Sequence, residues 1–103
     1  MTYRLVIRIE AEQDITDAAI WYHNQRPGLG EEFIAEVQVA LEGSVANPRR
    51  FPRLRRKPEV RRILIARFPY RIFFVLRPDA IVVFRILHGA RHDREWNTKL
   101  PPD

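Results

Sequence analysis

The sequence predicts an α+β fold: an N-terminal strand, an αα-hairpin and a three-stranded antiparallel meander, forming a four-stranded sheet with both helices on one face. Three observations predict it. Apolar residues alternate with period two over residues 3–9. The period then lengthens to helical spacing from Ala11 to Val45. Between residues 61 and 88, three runs rich in β-branched and aromatic residues are separated by tight turn signals.

Tyr3, Leu5, Ile7 and Ile9 alternate with Arg4, Val6 and Arg8, as in a half-buried strand. Ala11, Ile15, Ala18, Ala19 and Tyr22 then form one apolar helical stripe, which Pro27-Gly28 ends near Arg26. Glu10, Glu12 and Asp14 sit at its start, where carboxylates suit the positive end of the helix dipole. A second helix opens after Gly28-Leu29-Gly30, buries Phe33, Val37, Ala40 and Leu41, and stops at Asn47-Pro48. The short connection makes the two helices an antiparallel hairpin. Ile20, Trp21 and Ile34 lie off or beside the buried stripes, and apolar residues outside a core often mark a partner surface.

Residues 49–59 carry two prolines and six basic residues and read mostly as loop, anchored by Phe51 and Leu54. The first meander run, residues 61–68, ends at Pro69. The second, residues 70–77, sets Tyr70, Ile72, Phe74 and Leu76 against Arg71, Phe73, Val75 and Arg77. Pro78-Asp79 makes the turn. In the third, residues 80–88, Val82, Phe84 and Ile86 oppose Ile81, Val83, Arg85 and Leu87. The sheet face away from the helices is expected to be free for polar groups. Arginines there either solubilise that face or form a platform for phosphate, whose oxygens match the guanidinium fork.

A chain of 103 residues is one domain, spanning residues 1–103. It has no cysteine, which excludes disulfides, thiol nucleophiles and thiolate metal sites. No apolar run approaches a membrane span of roughly 18 residues and no signal-peptide core is visible, so a soluble, cytoplasmic protein is expected. The net charge of +5 hides a division: residues 1–48 carry −5, residues 49–71 carry +9, and residues 72–103 carry +1. So concentrated a basic window points to an anionic partner. Arg55, Arg56, Lys57 and Arg61 from this window are candidate nucleic-acid or target contacts, together with Arg85 of the last strand.

Several short motifs follow one another in a recognisable order. They are Ala18-Ala19-Ile20-Trp21-Tyr22, the stretch Pro27-Gly28-Leu29-Gly30-Glu31-Glu32-Phe33, Asn47-Pro48 with Phe51-Pro52, then Arg67-Phe68-Pro69-Tyr70, and His88-Gly89-Ala90-Arg91 followed by Trp96. In this order the chain resembles the RelE/ParE superfamily of bacterial type II toxin–antitoxin toxins, which includes the plasmid stabilisation proteins. The resemblance implies a growth-arresting toxin held in a heteromeric complex with a cognate antitoxin, for which Ile20, Trp21 and Ile34 are the candidate contacts. It also implies one of two targets: DNA gyrase, inhibited by ParE-like members, or messenger RNA on the ribosome, cut by RelE-like members. For cleavage, the resemblance makes Arg71 and Arg91 the phosphate-binding arginines and sets Arg62 near a third basic position. Leu64 and Trp96 stand where a lysine and a tyrosine are expected, which favours the gyrase-inhibiting branch.

Metal-free RNA cleavage needs a base, phosphate stabilisation and an acid. Arginines supply only the middle requirement, because guanidinium stays protonated. His88 is the candidate acid or base, although a histidine ending a strand is more often structural. No helix is predicted between His88 and His92, so no metal site is expected, and no cofactor is implied. Trp96 is the candidate ring for stacking a base or target group, although a tryptophan in a short tail more often packs onto a sheet.

Overall fold

The computed structural model describes residues 3–89 and 94–101. Strand β1 (Arg4–Ile7) leads into helix α1 (Ile9–Gln25), which turns at Gly28 into helix α2 (Leu29–Ala46). A 3₁₀ turn (Pro48–Arg50) follows, then strands β2 (Arg53–Arg55), β3 (Val60–Leu64), β4 (Tyr70–Leu76) and β5 (Ala80–His88), and a short tail helix α3 (Arg94–Asn97). Gly28 adopts φ +90, a left-handed conformation that glycine takes without steric penalty, and this lets α2 start immediately.

The sheet has five strands in the order β1-β5-β4-β3-β2, one more than the sequence suggested. The addition is β2, inside the stretch read as loop. Leu54 is partly buried against the sheet, and anchoring it brings Arg53 and Arg55 into antiparallel pairing with Arg61 and Val60. The meander is antiparallel throughout, and β1 joins its far edge parallel to β5, with Arg4 beside Ala80 and Ile7 beside Val83. Strand β3 stops at Leu64, short of the expected end. Residues 65–69 form a turn in which Arg67 has φ 71, while Ile65 and Phe68 remain buried.

The alternation expected in β5 breaks at a β-bulge. Phe73 pairs with Arg85 and Phe74 with Val83, so Phe84 is the extra residue. After it, Ile86 joins Ile81 and Val83 on the helix side, and Leu87 joins Val82 and Phe84 on the outer side.

The outer face is not free for polar groups, contrary to the sequence expectation. Val60, Phe73, Val75, Val82, Phe84 and Leu87 form a second apolar cluster there, covered by Trp96 with Leu54 and Leu100. The larger cluster lies between sheet and helices, where Phe33, Val37 and Leu41 of α2 and Ala11, Ala18 and Tyr22 of α1 meet Ile72, Phe74 and Val83. Each fully buried large side chain contributes roughly 1.5–3 kcal/mol. The sheet is therefore the middle of three layers.

Candidate functional site

Alternation along β4 sends Arg71 to the outer face with Phe73 and Val75. Its cross-strand partners are Leu64 on β3 and Leu87 on β5, so Arg71 stands in a row between two leucines. In the next row Arg62 pairs with Phe73, on whose ring Trp96 stacks at 6.1 Å and 22°. Trp96 is 7% exposed, its indole spent on roofing the sheet. Arg62 and Arg71 thus share a face.

His88 does not join them. Its pairing partner Tyr70 packs into the helix-side core, and the two rings meet edge to face at 5.2 Å. The histidine therefore belongs to the helix side, opposite Arg71. Arg91 and His92 lie outside the described residues.

The other candidate cations divide into committed and uncommitted groups. Arg85 forks onto Asp14 of α1 through Nε at 2.7 Å and Nη2 at 3.0 Å. The same carboxylate accepts the Ile86 N–H at 2.9 Å, satisfying a backbone donor at the bulge beyond the point where β1 has ended. These hydrogen bonds, and then the Asp14 charge, raise the already high pKa of Arg85. Arg61 is nearly buried, donating to Glu59 and to the carbonyls of Arg49 and Phe51, so it pins the chain entering β2. Arg55 donates to Asn97 Oδ1 at 2.7 Å and to the Lys57 carbonyl at 3.0 Å. Arg56 and Lys57 are exposed in the turn that follows.

On the helical hairpin, Ile20 is 55% exposed, Trp21 56% and Ile34 38%. Gly30 explains how closely the helices pack: a Cβ there would stand 2.4 Å from the Ala19 carbonyl oxygen. Trp21 overlooks a cleft of about 450 Å³ between α1 and the end of β5, lined also by Asp17, Tyr70 and His88. A second groove, lined by Leu5, Ile7, Leu41 and Val45, runs between the edge strand β1 and α2. Leu5 is 37% and Val39 64% exposed, and periodicity marks neither as partner surface. The missing signal was the sheet order: alternation marks Leu5 as inward-facing but does not say that its strand is an edge.

No helix among the described residues is long and apolar enough to cross a membrane. The family model of the ParE toxin of the type II toxin–antitoxin system, parDE, matches residues 5–93. Among solved structures, the fold is similar to a chain of the chromosomal ParDE TA system from P. aeruginosa. That similarity has a TM-score of 0.74 at 17% sequence identity, covering 84% of this chain and 96% of that one. A comparison with curated proteins finds no match.

Proposed function

The chain belongs to the ParE toxin family of type II toxin–antitoxin systems, and from that premise we propose that it arrests growth by inhibiting DNA gyrase and is neutralised by a cognate antitoxin. The observation that carries the choice of target is the separation of His88 from the arginines. Arg62 and Arg71 lie on the outer face, where leucines flank Arg71, and His88 lies on the other. General acid–base catalysis requires its proton-transfer group within hydrogen-bond reach of the reacting atoms. A protein inhibitor needs only a complementary surface, and Leu64, at 63% exposure beside Arg71, suits a contact face better than phosphate chemistry.

For the antitoxin, Ile20, Trp21 and Ile34 with the Leu5–Val45 groove provide exposed apolar surface, and β1 is an edge strand of the sheet among the described residues. An apolar helix on the hairpin, continuing as a strand along β1, fits both features. Action on gyrase or on translation places the protein in the cytoplasm.

The test is DNA supercoiling by purified gyrase in the presence of the chain. Supercoiling should fall with added chain and recover when the antitoxin encoded beside it is supplied. Undiminished supercoiling at a large molar excess of chain would refute the gyrase reading.

A further inference from the structure

The +9 window contains more cations than the fold uses. Arg61 is held by Glu59 and two carbonyls, and Arg67 by Glu32 and Glu36. Five others, Arg50, Arg53, Arg55, Arg56 and Lys57, are exposed, and among the described residues none reaches a carboxylate. They fall within the eight-residue stretch 50–57, which runs from the 3₁₀ turn through the edge strand β2 into the following turn. Arg50 lies over the Phe51 ring at 4.8 Å, and Arg55 is steadied by two neutral acceptors, so two of the five heads are already oriented. Like charges gathered without counter-charge raise the energy of the folded chain, and an anionic ligand relieves that repulsion.

The geometry points to double-stranded DNA, gripped through its phosphates, as the ligand of this edge. Three features favour that polyanion. Strand β2 has three residues, a register shift, and Pro52 and Pro58 on its flanks, so its free edge is a poor template for an added peptide strand. Contact then falls to the side-chain heads, and guanidinium matches phosphate oxygens. The patch exposes no aromatic ring: Phe51 is half-buried under Arg50, which leaves no stacking platform for unpaired bases. Nothing in it resembles an element for reading base edges, so binding should be independent of sequence.

The proposal does not rest on the gyrase reading, and its test uses neither gyrase nor antitoxin. A labelled duplex of arbitrary sequence is titrated with the full chain by fluorescence anisotropy at several salt concentrations. With three to five phosphate contacts, log K should fall against log salt with a slope of about −2.7 to −4.5. The variant Arg53→Glu, Arg56→Glu, Lys57→Glu should bind at least tenfold more weakly, with a slope shallower by about 2.7. Arg26→Gln, at the opposite end of α2, should bind like the parent. Absence of binding at low salt, or a triple variant with unchanged affinity and slope, would overturn the proposal. So would polyglutamate displacing the duplex at lower charge concentration than DNA does, which would assign the edge to an acidic protein segment.

Discussion

The helical hairpin and the β2 edge spend their charges in opposite ways. On the hairpin side, carboxylates outnumber cations, and several charges are tied into the fold: Asp14 to Arg85, Glu32 to Arg26 and Arg67, Glu36 to Arg67. The hairpin also leaves apolar residues exposed, Ile20, Trp21 and Val39, beside exposed carboxylates such as Glu12, Glu31 and Glu42. At the β2 edge the apolar residues are tucked in, Phe51 against the helix-side core and Leu54 against the outer cluster, and the charges are left in solvent. One region thus ties part of its charge into the fold and keeps apolar surface for a partner; the other tucks its apolar residues away and leaves most of its cations in solvent. Two surfaces so different suit two chemically different partners.

If that division is real, removing a committed charge should cost stability and removing an uncommitted one should not. The largest effect is expected for Asp14→Ala. It strands the partly buried Arg85 guanidinium and the Ile86 N–H together, and urea denaturation should show a loss of about 3 kcal/mol or more. Next comes Gly30→Ala, whose Cβ would collide with the Ala19 carbonyl and force the helices apart. A loss of about 1–3 kcal/mol is expected by the same measurement.

Arg67→Gln should act mainly through pH. Its hydrogen bond holds the Glu32 pKa below its ordinary value, followed by smaller contributions from Arg26 and Arg67 charge. A lowered carboxylate pKa stabilises the fold above the unfolded-state pKa, and that stabilisation disappears as pH falls through the folded-state value. Acid unfolding should therefore begin from a slightly less stable baseline in Arg67→Gln, with a flatter stability profile below the ordinary glutamate range. The smallest effect is expected for Arg56→Ala, within about 0.5 kcal/mol of the parent. A clear loss of stability there would break the comparison, because the edge would then also serve the fold.

Much of this architecture was legible in the residues. The change of period at Ala11, the Pro27-Gly28 break and the Pro78-Asp79 turn place the hairpin and the meander where the structure has them. Three features were not legible, each for a physical reason. A three-residue strand between prolines carries too little alternation to be seen, so β2 read as loop. A bulge adds one residue without changing composition, and this inverted the faces assigned to Ile86 and Leu87. The second apolar cluster needed Trp96 to fold back onto Phe73, a contact between distant positions that local periodicity does not encode. The site was legible in part. Alternation correctly set Arg71 opposite Tyr70 and Ile72, but the bulge is what carries His88 to the helix side. Charge counting found the basic window without distinguishing Arg61, built into the fold, from Arg53 and Arg56, which are not.

Mapping the 5′ ends of messenger RNA in cells arrested by this chain tests the central claim most directly. A toxin acting on gyrase leaves transcripts whole, so the 5′ ends should match those of unarrested cells while plasmid DNA loses its supercoils. Discrete new 5′ ends within codons, lost when Arg71 is replaced by alanine in a protein that still folds, would contradict it.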